Sequence, residues 1–222
     1  MSSNLSALMP LVNTALLQTC YMVTLSLIIS ILLGGFLGLL MFVTSDPLFV
    51  PSRFLNQFMS SVVNIIRSLP FLILMIFVLP LSKIIVGTKI GPEAVIVPLS
   101  IATIAFFARL AEASFSDVNH GVLEAYVASG ASELAVIWKI LLPEAQTSLI
   151  KNITVTTISV IGSSAMAGLV GGGGLGDLAY RYGYQQYKMD IMIVCVGLLI
   201  VIVQLIQVAG DNLVASIQKK RR

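Results

Sequence analysis

The chain has 222 residues, 57% of them hydrophobic and only 10% charged, with a mean hydropathy of +0.99. Soluble domains carry about a quarter charged residues, so the composition excludes a soluble enzyme, a disordered chain and a nucleic-acid-binding module. Net charge is +3, yet four of the thirteen Lys and Arg residues are the last four, Lys219 to Arg222. Such a cluster reads as a cytoplasmic anchor against anionic membrane lipid.

Apolar stretches near the roughly 20 residues that cross a hydrocarbon core predict five membrane spans. The first lies within 14–43, inside a segment, 1–45, that has no charged side chain. No cleavable signal peptide is expected, because a basic n-region is missing and the apolar stretch is too long. Gly34 and Gly38 form a GxxxG pair there, a packing surface for another helix. The turn signal Thr44-Ser45-Asp46-Pro47 closes the span.

A second span is expected over 57–81. Ser60, Asn64, Arg67 and Ser68 share one helical face within it. An arginine in the membrane costs about 2.5–3.5 kcal/mol on the insertion scale. Asn64 and Arg67 therefore line a translocation path or lock helices together, unless Arg67 simply snorkels to the inner headgroups. Pro70 here and Pro98 in the third span, 92–112, are candidate kinks. Cys20 and Cys195 fall in apolar stretches and are expected as buried thiols.

The segment 113–151 is the substantial polar interval. Val122 to Ser129 predicts a short helix broken at Gly130. Leu134, Ile137, Trp138, Leu141 and Leu142 then form an apolar stripe at helical spacing, which Pro143 is expected to end. The result is a helix, a tight turn and a helix. It is either an amphipathic hairpin lying on lipid or a docking element for a partner.

The fourth span, 152–172, carries Thr154, Thr157 and Ser164 and is slim at Gly162, Ala165 and Gly168, which suits a position near an axis or a narrow pore. Gly171 to Gly174 with Gly176 satisfies GxGxxG, but the strand and helix of a dinucleotide site do not flank it. It is read instead as a flexible or re-entrant turn at the outer surface. Tyr180, Tyr182, Tyr184 and Tyr187 follow as an interfacial belt. The fifth span, 190–210, is expected to stop at Gly210-Asp211, ahead of a basic tail over 214–222.

Five spans put the termini on opposite sides. With the N-terminus outside, the inner segments hold Arg53, Arg109, Lys139, Lys151 and the basic tail, against Lys83, Lys89, Arg181 and Lys188 outside. The positive-inside rule favours this orientation, N-terminus out and C-terminus in. It makes 113–151 cytoplasmic.

Glu124-Ala125-Tyr126, three residues, Gly130, nine residues and Ile140-Leu141-Leu142-Pro143 resemble the EAA loop of ABC importer permeases, with Tyr126 where the third residue is usually Ala. Asn64-Ile-Ile-Arg67-Ser-Leu-Pro70-Phe71, Ile85-Val-Gly87-Thr88 and Ser164-Ala-Met166-Ala-Gly168 are similar to the methionine-uptake permeases of that class. So are Gly173-Gly-Leu-Gly176, Tyr182-Gly-Tyr184 and Gln207-Val-Ala-Gly210-Asp211. The resemblance runs over about 14–213 and implies an all-α membrane protein with the type I ABC importer permease fold.

It further implies a transport function without catalysis in this chain. Glu124, Ala125, Ser129, Gly130, Ala131 and Pro143 would dock a separate ATPase, and Met166 would act as a gate. Two copies of the chain would form the path, above two cytoplasmic ATPases that bind ATP with Mg and below an external substrate-binding protein. No cofactor or metal is expected in the chain itself, and the membrane would be the bacterial inner membrane. A permease for another amino acid or small organic solute remains the nearest alternative. An ion-driven secondary transporter would need intramembrane carboxylates, and only Glu93 and Glu112 come close, both at span ends. An intramembrane serine hydrolase at Ser163 or Ser164 lacks a histidine in any span, since His120 lies in the polar segment.

Overall fold

The computed structural model describes the backbone of residues 2–220 and the side chains of 9–219, so Arg221 and Arg222 of the basic tail lie outside the described residues. Among the described residues, four helices are long and apolar enough to cross a membrane, or five spans if one bent pair counts as a single span. The helices in chain order begin with α1 (Ser2–Ser45), α2 (Arg53–Ser68), α3 (Phe71–Val86), α4 (Pro92–Ser116) and the short α5 (His120–Ala128). Next, α6 (Glu133–Val136) runs through a π-helical segment, Ile137–Leu141, into α7 (Leu142–Ala167). After a tight turn come α8 (Gly174–Leu178), a second π-helical segment (Ala179–Gln185) and α9 (Met189–Lys220).

The α1–α4 seam is built from small residues. Ser26, Ser30, Gly34 and Gly38 recur every fourth position, so they share one face of α1. Ser30 Oγ donates to the Ser100 carbonyl at 3.3 Å, and Ser26 Oγ to that of Ile96 at 3.5 Å. A Cβ on Gly38 would lie 2.5 Å from the Ala108 carbonyl oxygen, and one on Gly34 would lie 2.8 Å from that of Ile104. The GxxxG pair is therefore a packing surface, as expected, and the two serines extend it by two turns.

The second span expected over 57–81, with Pro70 as a candidate kink, is two helices, α2 and α3, meeting at 109°. Proline disfavours helical geometry at the residue before it. Accordingly Leu69 is extended (φ −82°, ψ 131°) and Pro70 opens α3. Pro98 by contrast is buried inside an unbroken α4, so it does not divide the third span. Pro143 does not end its helix either. A proline ring crowds the carbonyl four residues earlier, here that of Lys139, and the helix widens to π geometry just before it.

Two further boundaries differ from expectation. The last helix continues past Gly210, which is buried against Thr154 of α7 and so marks a crossing rather than a stop. Cys195 is buried, whereas Cys20 is on the outer face of α1 beside exposed Leu17 and Tyr21.

The glycine run is packed, not loose. Positions 168 and 176 have no room for a Cβ, because Gly168 abuts the Gly176–Asp177 backbone and Gly176 abuts Ala165. The chain thus turns back against the end of α7. Gln18 and Thr19 of α1 clasp it, accepting from the amides of Gly174 and Leu175 at 2.9 Å each. Beyond it Tyr180 and Tyr184 stack at 5.7 Å, and Lys188 sits 5.3 Å from the Tyr182 ring centre.

Candidate coupling and translocation sites

Asn119 starts α5 by accepting a 2.9 Å hydrogen bond from the Gly121 amide, the N-cap pattern. The other end closes as a Schellman motif. The Gly130 amide donates to the Val127 carbonyl at 3.0 Å and the Ala131 amide to that of Tyr126 at 3.3 Å. This closure needs a left-handed residue, and Gly130 supplies it at φ +85°. Ser129 Oγ adds a bond to the Tyr126 carbonyl at 2.8 Å, and Ser132 caps α6.

Burial divides the hairpin into an anchor and a display face. Leu123, Val136, Ile137 and Leu141 join Phe42, Phe49, Phe107 and Phe115 in one core cluster. Glu124, Ala125, Ser129 and Gly130 are exposed, with Ala131 half-buried. The expected apolar stripe therefore splits, because Leu134 and Trp138 remain outside, each 69% exposed. A hairpin lying on lipid would turn its apolar side outward; this one inserts Leu123, Val136, Ile137 and Leu141 into the bundle and leaves Val122, Tyr126, Leu134 and Trp138 outside. Pro143 is exposed on α7, beyond the π segment and apart from the turn.

One contact escaped the sequence. His120 Nδ1 lies 3.0 Å from Glu124 Oε1, and Nε2 lies 3.3 Å from Asp46 Oδ2. Asp46 is itself largely buried and accepts from the Leu48 amide at 2.9 Å. His120 thus ties the display helix to the loop after α1. The Glu124 partner was legible at spacing i, i+4, but nothing local linked position 120 to position 46.

A second region forms at the α2–α3 break. Asn64, Arg67 and Ser68 are exposed there, while Met59 and Val63 pack α2 against Ala105 and Ala108 of α4. Arg67 borders a cavity of about 260 Å³ together with Phe71, Leu74, Thr103, Phe106 and Ser163. Thr154 and Ser164 turn inward and bond to carbonyls of their own helix, so they line nothing. The open face of α7 instead carries Val155, Ser159, Gly162 and Met166, with Met166 50% exposed and open space around Gly162. Met166 and Arg67 do not share the cavity lining.

Comparison with known proteins assigns this architecture. Residues 30–220 match the family model described as the inner membrane component of binding-protein-dependent transport systems. The chain belongs to this family. It is 45% identical to a probable D-methionine transport system permease protein, MetI, of Vibrio cholerae, over 95% of this chain and 93% of that protein. It is 44% identical to the methionine import system permease protein MetP of Bacillus subtilis, over 82% of each chain. A crystal structure of the MetNI methionine ABC transporter in inward-facing conformations superposes with a TM-score of 0.92 at 38% identity, covering 95% of this chain and 98% of that one. The fold is that of a type I importer permease, and the chain is a multi-pass component of a bacterial inner membrane rather than an enzyme.

Proposed function

We propose that this chain is the permease subunit of an ATP-driven methionine importer. Two copies form the path about a two-fold axis, because five spans cannot readily enclose a gated route for a solute. The N-terminus lies outside and the C-terminus inside, which gives α5 and α6 to the cytoplasm. Glu124, Ala125, Ser129, Gly130 and Ala131 dock a separate ATPase that binds ATP with Mg, and Pro143 shapes the base of the docking unit. An external binding protein delivers the solute.

The observation that carries this reading is the division of the α5–α6 hairpin. A turn with small residues on its open side is fastened by Leu123, Val136 and Leu141 into the core that also holds α1 and α4. Force applied at the turn is thereby passed to span helices instead of being lost in a loop. Closing of the two ATPases draws the hairpins together and switches the pore between two arrangements. Met166, on the open face of α7, closes the path at the axis.

The test is reconstitution in liposomes with the ATPase and the binding protein. ATP-dependent uptake of labelled methionine, lost in Gly130→Asp, is expected. Uptake of another amino acid in preference to methionine would move the substrate within the class. Transport without ATP would overturn the reading in favour of a secondary transporter.

A further inference from the structure

We infer that the cavity at the α2–α3 break is a binding site for a zwitterionic α-amino acid with an apolar side chain, held by its carboxylate on Arg67. The inference rests on the importer reading above and adds a place where the permease itself holds the solute. Three observations converge on it.

First, the exposed Arg67 side chain has no hydrogen-bond or ion-pair partner among the described residues and borders an open cavity beside membrane helices. A guanidinium in such a place needs an acceptor, and its planar fork matches a carboxylate. Second, the 109° break starts α3 at Phe71, which also lines the cavity. The leading amides of a helix lack intrahelical acceptors and carry partial positive charge. Broken helices in transporters use that end for anionic substrate groups. Third, the opposite end of the break is the C-terminus of α2, where the Ile65 and Ile66 carbonyls accept from Ser68 Oγ and the Leu69 amide, which leaves those of Arg67 and Ser68 as acceptors for an ammonium group.

The rest of the lining sets selectivity. Ser159 and Ser163 add hydroxyls, and Phe71, Leu74 and Phe106 add apolar wall. No Asp or Glu lines the space, so a cationic side chain finds no counter-charge there. A volume of about 260 Å³ is just under the roughly 300 Å³ floor of ordinary small-molecule sites, which suits one amino acid rather than a peptide.

The experiment measures equilibrium binding of labelled L-methionine to the permease–ATPase complex in nanodiscs, with the binding protein left out, both with and without ATP. Methioninamide, which lacks the carboxylate, and lysine serve as competitors. Wild type should favour methionine over both. Arg67→Gln should weaken methionine roughly 10- to 100-fold, the scale of a lost charge-assisted pair, and should abolish the preference over methioninamide. A purely structural role for Arg67 would not remove that preference. Should Arg67→Gln fail to assemble, Arg67→Lys, which keeps the charge but loses the fork, and Ser163→Ala carry the same comparison.

Unchanged binding in these variants overturns the site, as does equal competition by methioninamide in wild type. So does ATP-driven methionine uptake by a complex that never binds methionine. Absence of methionine uptake by wild type would instead remove the importer reading for methionine, and the site with it.

Discussion

Gly130 must satisfy two requirements, one internal and one external, and substitutions can separate them. Its φ of +85° is left-handed, and a Cβ there would meet nothing within 4 Å. Inside the chain, therefore, a side chain costs backbone strain alone. For Ala that strain is about 1–2 kcal/mol, whereas Asn visits this region routinely. An energy of that size raises local opening of the hairpin roughly 5- to 30-fold. Hydrogen exchange of the purified permease reads it directly over residues 120–136. Gly130→Ala should lose protection there by about this factor, Gly130→Asn much less, and α9 should not change in either. Equal protection in all three proteins would refute the Schellman closure as the reason for glycine. The Asn variant then isolates the external requirement, since it keeps the turn but adds bulk. If it is protected yet fails to bind the ATPase, Gly130 serves close approach; if it binds normally, the turn alone demands glycine.

Other perturbations test the remaining joints. His120→Gln and Asp46→Asn, alone and together, should show a coupling of about 0.5–1 kcal/mol in thermal unfolding, because His120 is half-exposed and its contacts are screened. The single variants should lower uptake per ATP hydrolysed more than they lower hydrolysis, and an unchanged ratio would sink the tether. Gly38→Ala forces a Cβ to 2.5 Å from a backbone oxygen and should cost about 1–3 kcal/mol. Gly35→Ala, whose nearest neighbour is 3.5 Å away, is the matched control, and equal melting temperatures would refute the seam. Met166→Lys should abolish transport while leaving the complex assembled, and full transport with that variant would remove Met166 from the gate.

Where the sequence was legible, the physics was local. The glycine turn and the helix after it follow from residue types within a dozen positions, and the fold class follows from hydropathy; the cap at Asn119, which starts the short helix two residues before the expected Val122, was missed. The reading of proline held at Pro70 and failed at Pro98 and Pro143. Pro70, Pro98 and Pro143 look equivalent as interruptions of apolar runs, yet they end in a break, an unbroken helix and a π-helical widening. The difference lies in whether neighbouring helices fix the flanking turns. Pro98 is buried in α4 between α1, α3 and α7, so its helix has no room to bend away. Pro143 follows the inserted residues Ile137 and Leu141, whose burial holds the chain on course through the wider turn. At Pro70 the flanking residues Arg67, Ser68 and Leu69 are exposed, and nothing opposes the extended backbone that proline asks for. The break therefore occurs beside Arg67, a guanidinium without a partner among the described residues. The 109° turn leaves the amides of Phe71 and Leu72 on one side and the carbonyls of Arg67 and Ser68 on the other beside that charge, and the zwitterion site proposed above draws on both ends.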